Sequence, residues 1–177
     1  DTYSKYIHPR DKSVRTLFGD AAAATLVAAV ESDTDDHPDS AIGPFVFGTD
    51  GSGARNLIVE AGGFRRPGDA DSARESTDAS GNVRSAEHLY MNGAEVFAFT
   101  LREVPLAVER LLDKAGLARD EVDLYVLHQA NRFMLDALRR KLALEPERMP
   151  VCMTDVGNTV SSSIPLALIA LRDARAI

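Results

Sequence analysis

The last third of the chain alternates short β-rich runs with amphipathic helical patterns, and this alternation limits the fold more than any other feature. Residues 122–127 form one compact β-rich run, and residues 149–153 form another. Apolar residues at helical spacing between Met134 and Leu142 predict a helix that joins the two runs. A strand–helix–strand crossover of roughly 30 residues normally connects parallel neighbours. We therefore expect an α/β fold in which helices cover a sheet.

Two further helices have recognisable boundaries. The first begins at Asn92, an N-cap with Glu95 three residues later, and ends at Gly116. Apolar residues recur between these ends at spacings of three and four, which indicates one buried stripe. Pro105 lies inside this pattern, so we expect a kink or a broken backbone hydrogen bond there. The second opens at residues 161–165, where a run of serines precedes a first-turn proline.

The first half of the chain reads as short strands and one long loop. Residues 14–18 and 21–30 flank a Gly-Asp turn, which favours a strand hairpin. Residues 42–48 and 57–59 are two more strand candidates. Residues 62–88 contain scarcely an apolar side chain, which predicts a long surface loop of functional or mobile character.

Composition and chain ends exclude several classes of protein. Twenty basic and 27 acidic residues give a net charge of −7, the wrong sign for a general nucleic-acid binder. The apolar runs are too short to cross a bilayer, and the single cysteine excludes an internal disulfide. The chain begins with Asp1 and ends directly after a helical pattern, which we interpret as a segment of a longer protein.

Two polar residues follow the two β-rich runs of the last third. His128 comes directly after residues 122–127, and Asn158 follows the second run, 30 positions later. The carboxyl ends of parallel strands share one edge of a sheet, so both side chains would face one crevice. An imidazole and a primary amide offer two neutral donors to one oxygen, which suits an enolate or oxyanion. The alternative is a strand-end histidine bound to a loop carbonyl and an asparagine in a turn.

Cys152 and four basic residues lie close to His128 in the sequence, and each of the two features allows two interpretations. Cys152 is either a nucleophile or, as its place in a β-rich run favours, a buried structural residue. Four basic residues follow His128 on the predicted helix: Arg132, Arg139, Arg140 and Lys141. They form either a solvated helix face or a docking patch for an acidic partner.

The remaining candidates point to surface features. His8, His37 and His88 lie in polar surroundings without carboxylates at metal-ligand spacing, so we expect surface histidines. Residues 48–53 are glycine-rich but match no nucleotide-binding motif, which indicates a turn.

Four motifs together resemble a known family. They are Leu17-Phe18-Gly19-Asp20-Ala21, Met91-Asn92-Gly93-Ala94-Glu95-Val96-Phe97, His128-Gln129-Ala130-Asn131 and Gly157-Asn158-Thr159 with the serine run that follows. In this order they resemble the 3-oxoacyl-[acyl-carrier-protein] synthase III family. The resemblance implies a thiolase-like five-layered α/β/α/β/α fold, here mainly its second half. It divides the chain into residues 1–33, the end of the N-terminal half, and residues 34–177, most of the C-terminal half.

The same resemblance implies an activity and a set of site residues. The family joins an acyl-CoA or acyl-carrier starter to malonyl-carrier protein by decarboxylating condensation, with catalytic Cys, His and Asn. The last two match His128 and Asn158. The family's cysteine lies upstream of the first of the four motifs, so Cys152 does not match it. Asn131, Gly93 and Phe97 would bind substrate, and residues 62–66 would line the entrance. The four basic residues would dock acyl carrier protein.

The resemblance also bears on partners and alternatives. It implies a cytoplasmic homodimer without metal or cofactor, for which coenzyme A thioesters and the carrier's phosphopantetheine are substrates. A relative that makes a specialised polyketide, quinolone or ester is one alternative. A non-catalytic subunit of the same fold is another.

Overall fold

The computed structural model describes residues 1–28 and 42–177, which contain four α-helices. They are α1 (Lys12–Arg15), α2 (Gly93–Ala115), α3 (Arg132–Lys141) and α4 (Ser163–Asp173). Short 3₁₀ turns cover Tyr3–Tyr6, Gly51–Asn56, Arg119–Glu121, Pro146–Arg148 and Val160–Ser162. Four strands are β1 (Leu57–Ile58), β2 (Ser76–Thr77), β3 (Val83–Arg84) and β4 (Tyr90–Met91). β1 pairs antiparallel with β4, and β2 pairs antiparallel with β3.

The core lies where α3 packs against α2. The inner face of α3 buries Met134, Leu135 and Leu138 at helical spacing. The chain then folds back, and Leu142, Leu144, Met149 and Tyr125 complete the buried cluster. Apolar side chains of α2 cover this cluster from the other side, among them Val96, Phe97, Leu101, Val104 and Val108. This packing holds the start of both helices on one side of the molecule.

The ends of α2 confirm the sequence-based prediction. The Asn92 side chain accepts a hydrogen bond from the backbone N–H of Glu95 at 3.3 Å and caps the helix. Gly116 ends it with a left-handed φ of 68°. The helix continues through Pro105, where the missing proline N–H removes one backbone hydrogen bond without ending the helix.

Most predicted strands are wrong as regular secondary structure. Residues 14–18, 21–28, 42–48, 122–127 and 149–153 do not lie in strands of the described chain, although β1 confirms part of the 57–59 candidate. A strand exists only where a neighbouring backbone supplies a row of hydrogen bonds. Here the nearest equivalent is one backbone bond, from Tyr125 N–H to the carbonyl of Arg148, the residue just before the second run, at 2.7 Å.

The buried side chain of Gln129 also connects these two runs. The Gln129 amide donates to the carbonyl of Leu127 at 2.8 Å and accepts the backbone N–H of Cys152 at 2.8 Å. The side chain is 1% exposed, so these bonds are shielded from water. The two runs are therefore neighbours, as predicted, without forming a ladder.

The predicted surface loop is more ordered than expected. β2 and β3 form a hairpin inside residues 62–88, and Arg84 joins it to the buried Asp11 at 2.8 Å. His8 is buried as well, with Nε2 2.9 Å from the carboxylate of Glu75, so its prediction as a surface histidine is wrong. The physical reason is that the hairpin covers the N-terminal segment. His37 and residues 29–30 of the second strand candidate lie outside the described residues.

The helices also bear on membrane association. Within residues 1–28 and 42–177, none is both long and apolar enough to span a bilayer.

Candidate active site

A cleft of about 580 Å³ opens beside the N-terminal ends of α2 and α3. Its walls come from the N-terminal segment, the start of both helices and the turn before α4. Most of the lining is apolar, with aromatic rings from Tyr3, Phe18, Phe97 and Phe133. The polar side chains on its walls include the imidazole of His128 and the amides of Asn131 and Asn158, together with the hydroxyls of Tyr3, Ser13 and Thr100. An apolar cleft with a few convergent polar groups is the usual form of a small-molecule site.

Two glycines bring Asn158 to this cleft. Phe18 and Asn158 form a parallel backbone bridge, in which Asn158 donates to Leu17 at 3.0 Å and Gly19 donates to Asn158 at 2.9 Å. A Cβ on Gly19 would lie 2.2 Å from the carbonyl oxygen of Val156, which no side chain allows. Gly157 has a φ of +67°, and its Cβ would lie 3.2 Å from the Leu17 oxygen. Two of the four sequence motifs therefore meet through their glycines.

The Asn158 side chain is fixed and leaves its donor free. Its amide oxygen accepts the backbone N–H of Val160 at 3.0 Å, and the residue is 8% exposed. Because the oxygen is engaged, the NH₂ group is the part of this side chain that can donate into the cleft.

His128 lies on the same cleft and is held from behind. Its Nδ1 is 2.6 Å from the hydroxyl of Ser163, the first residue of α4. Packing against this part of the chain removes water and lowers the pKa of His128 below 6.5, and the backbone of Val160 opposes the shift in part. The imidazole is therefore neutral at neutral pH, although its open edge remains exposed to the cleft.

The predicted substrate-binding residues lie on the same walls. Asn131 caps α3 by accepting the backbone N–H of Met134 at 2.8 Å, which fixes its amide and leaves the NH₂ group available to donate to a ligand. Gly93 begins α2, and Phe97 one turn later stacks on Phe133 with ring centroids 5.2 Å apart. Residues 62–66, predicted to line the entrance, are not among the residues that line this cleft, and their role stays a prediction.

The basic residues of α3 do not form a uniform patch. Arg132, Arg140 and Lys141 are exposed. Arg139 is half-buried and donates to the carbonyl of Leu144 at 3.2 Å, which ties the end of α3 to the chain that follows. Three of the four cations can therefore meet a partner directly, and the fourth supports the helix.

Cys152 lies outside the described cleft lining. Partial burial raises the pKa of its thiol, and its backbone N–H is bound by Gln129. A thiol with a raised pKa is a poor nucleophile, which favours the structural interpretation. Groups of three or more metal-ligating side chains are likewise absent from the part of the chain that the structure describes.

Sequence reasoning missed several residues of this site. Tyr3, Phe18 and Phe133 line the cleft, and Ser163 and Gln129 hold it from behind. The serine run at residues 161–163 is visible in the sequence, but it predicts only the start of a helix and not a contact between Ser163 and His128. The aromatic residues carry no pattern that distinguishes a cleft wall from a core.

The fold and cleft together define a class: an α/β protein with a largely apolar cleft that the side chains of His128, Asn131 and Asn158 line. Two protein-family models match the chain. The model described as 3-oxoacyl-[acyl-carrier-protein (ACP)] synthase III matches residues 1–51, and its C-terminal counterpart matches residues 112–177. The chain belongs to the 3-oxoacyl-[acyl-carrier-protein] synthase III family.

Individual relatives agree with this assignment. The beta-ketoacyl-[acyl-carrier-protein] synthase III of Symbiobacterium thermophilum is 37% identical over 93% of this chain and 46% of its own length. A 3-oxoacyl-(acyl-carrier-protein) synthase III crystal structure superposes with a TM-score of 0.87 at 58% identity, over 100% of this chain and 51% of that one. The Thermus thermophilus enzyme gives a TM-score of 0.75 at 35% identity, over 98% of this chain and 48% of that one.

These likenesses show that the chain has the thiolase-like α/β fold of the family. The chain spans about half the length of the relatives it matches.

Proposed function

We propose that the full-length protein condenses an acyl-CoA or acyl-carrier starter with malonyl-carrier protein, with loss of CO₂, in fatty acid or related biosynthesis. The observation that carries this proposal is the pair of N–H donors, His128 and Asn158, on the wall of one apolar cleft. Membership of the synthase III family supports the same conclusion.

The chemistry needs a place for negative charge. The starter acyl group is first carried as a thioester on a cysteine, which we assign to the upstream part of the full-length protein. The malonyl thioester then loses CO₂, and the electrons of the broken C–C bond move to the thioester oxygen as an enolate. His128 and Asn158 donate hydrogen bonds to that oxygen as its charge grows. The enolate carbon attacks the acyl thioester and releases the cysteine thiolate.

The remaining cleft residues would hold the substrate arm. The free NH₂ of Asn131 would donate to an amide carbonyl of the phosphopantetheine. Gly93, at the start of α2, has no side chain to obstruct the arm, and the stacked rings of Phe97 and Phe133 would contact its apolar parts.

The partner assignment rests on charge. We place acyl carrier protein against the exposed cations of α3, namely Arg132, Arg140 and Lys141, with Arg139 supporting the helix that carries them. A cytoplasmic homodimer and the division into residues 1–33 and 34–177 complete the proposal.

The test is a condensation assay on the full-length protein with a panel of acyl-CoA starters and malonyl-carrier protein. We expect an extended 3-oxoacyl-carrier protein and an equimolar amount of CO₂, both detected by mass spectrometry. An ester or polyketide product would indicate a specialised relative. A folded protein that makes no product with any starter, and whose cysteines are not acylated, would overturn the proposal in favour of a non-catalytic subunit.

A further inference from the structure

Ser163 makes a buried contact with His128 that the proposed chemistry does not yet use. Its hydroxyl lies 2.6 Å from Nδ1 of the ring, and Ser163 is 2% exposed. The same hydroxyl accepts the backbone N–H of Gln129 at 3.3 Å. The serine thus stands between a backbone donor and the imidazole, shielded from water.

The direction of the hydrogen bonds follows from the inventory of donors. A serine hydroxyl carries one proton and can accept two hydrogen bonds. The Gln129 N–H can only donate, so it takes one acceptor position of the serine oxygen. The hydroxyl proton then needs an acceptor of its own, because buried polar groups in folded proteins are almost always paired. Among the described residues, the acceptor within hydrogen-bonding distance is Nδ1 of His128.

We propose that Ser163 is a positioning residue, which donates to Nδ1 and thereby holds neutral His128 in the tautomer with its proton on Nε2. In a neutral imidazole one nitrogen donates and the other accepts, and the partner of one nitrogen decides the state of the other. With Nδ1 as acceptor, the ring proton lies on Nε2. There it can donate to the backbone of Val160, which lines the cleft and hydrogen-bonds His128, or to a substrate oxygen that takes its place. This inference rests on the proposed function, in which that N–H donates to the thioester oxygen.

The opposite tautomer would work against the reaction. A proton on Nδ1 would leave an unprotonated Nε2, whose lone pair would repel an oxygen that gains negative charge. The Gln129 side chain is bound to Leu127 and Cys152, which restrains the residue whose backbone N–H donates to Ser163.

The test compares ring ¹⁵N shifts of His128 in the full-length protein above its pKa. The variants are Ser163→Ala, Ser163→Thr and a matched control, Ser162→Ala. Ser162 is the neighbouring buried serine, but its hydroxyl donates to the carbonyl of Ala21 at 3.3 Å instead of to the ring. We expect the Nε2–H tautomer in the wild type, in Ser162→Ala and in Ser163→Thr, which keeps a hydroxyl. Ser163→Ala should give a mixture of tautomers.

Kinetics supply a second readout. The kcat of malonyl decarboxylation should fall roughly tenfold or more in Ser163→Ala and recover in Ser163→Thr, since loss of the correct histidine tautomer impairs catalysis severely. Acyl transfer to the cysteine should change little. An Nδ1–H wild type would overturn the inference without any substitution, as would a Ser163→Ala variant with unchanged ring shifts. Expected ring shifts in a protein without condensation activity would overturn the proposed function and still support the tautomer assignment.

Discussion

The position of Asn158 depends on the absence of a side chain at Gly19. The backbone bridge between Phe18 and Asn158 brings the Gly19 Cα so close to Val156 that an added Cβ would overlap its carbonyl oxygen. Relief of that overlap requires the turn before α4 to move. Such a movement would also shift the amide that faces the cleft.

We therefore expect Gly19→Ala to destabilise the full-length protein by about 1–3 kcal/mol, the usual range for forced overpacking. Denaturant unfolding measures this loss, and malonyl decarboxylation should fall with it. Gly63→Ala is the matched control, because an added Cβ there meets nothing within 4 Å. Equal stability of Gly19→Ala and the wild type would contradict the described approach of the two segments.

At the residue level, the sequence predicted which side chains meet but not how they are held. His128, Asn158, Asn131, Gly93 and Phe97 line one cleft, as the motifs indicated. The side-chain oxygens of Asn131 and Asn158 each accept a backbone N–H. These bonds depend on local backbone geometry, which the spacing of the motifs does not predict. The Ser163 contact joins residues 35 positions apart and has no signature in either motif alone.

Among the elements, the β2–β3 hairpin has its turn closed by the carboxylate of Asp78. Asp78 accepts backbone N–H groups of Asn82 and Ser80, each at 2.9 Å, and the guanidinium of Arg84 at 2.8 Å. These bonds, with that of Asn82 the largest, lower the pKa of Asp78 from 3.8 to about 2. The unfolded chain therefore binds a proton at higher pH than the folded hairpin does.

The sign of this shift predicts how the hairpin responds to pH. The stabilisation by Asp78 is complete above its ordinary pKa and is lost as the pH falls from about 4 to about 2. A carboxyl titration followed by NMR should give a midpoint well below 3.8. At neutral pH, Asp78→Asn should speed amide exchange in the hairpin. Asp71→Asn, which removes only an exposed ion pair with Arg74, should not. A midpoint at or above the ordinary value would contradict the hairpin geometry.

Helix α3 makes a separate prediction about the carrier protein. Reversal of the exposed cations in Arg132→Glu/Arg140→Glu should raise KM for malonyl-carrier protein roughly threefold or more, because each exposed charge pair contributes about 0.2–1 kcal/mol. Added salt should raise the wild-type KM in the same direction. KM for acyl-CoA should stay near the wild-type value.

The design of this experiment leaves Arg139 intact, because its bond to Leu144 makes it part of the fold. Arg172→Glu/Arg175→Glu, at and just beyond the end of α4, changes the net charge by the same amount at exposed positions and is the matched control. If both variants raised KM equally, the effect would come from net charge, and α3 would be a solvated face.

The helices were more predictable than the strands for a physical reason. A helix closes its hydrogen bonds within one segment, so caps such as Asn92 and Gly116 are readable from the local sequence. A strand needs a partner, but the runs at 122–127 and 149–153 form no ladder of backbone bonds: Tyr125 donates to Arg148, just before the second run, and Gln129 bridges Leu127 and Cys152. Apolar composition alone cannot report whether that partner is present.

At the scale of the whole molecule, the cleft gathers segments from both ends of the described chain. Tyr3 and Phe18 come from the beginning, Phe97 from the middle, and Asn158 from the final sixth. Their meeting depends on long-range contacts that no local pattern encodes. The family resemblance predicted that these segments lie together, because four motifs in a fixed order imply one arrangement in space. Local sequence patterns could not predict it.

The central claim is that His128 and Asn158 jointly stabilise the enolate formed from the malonyl thioester. The most direct measurement is malonyl decarboxylation by full-length His128→Ala and Asn158→Ala, with acyl transfer to the cysteine followed in parallel by mass. Each variant should lose about 10²–10³ in decarboxylation rate, the typical cost of one such donor, while acyl transfer remains measurable. Decarboxylation at the wild-type rate in either variant would contradict the claim. Loss of acyl transfer in both variants would contradict the division of roles.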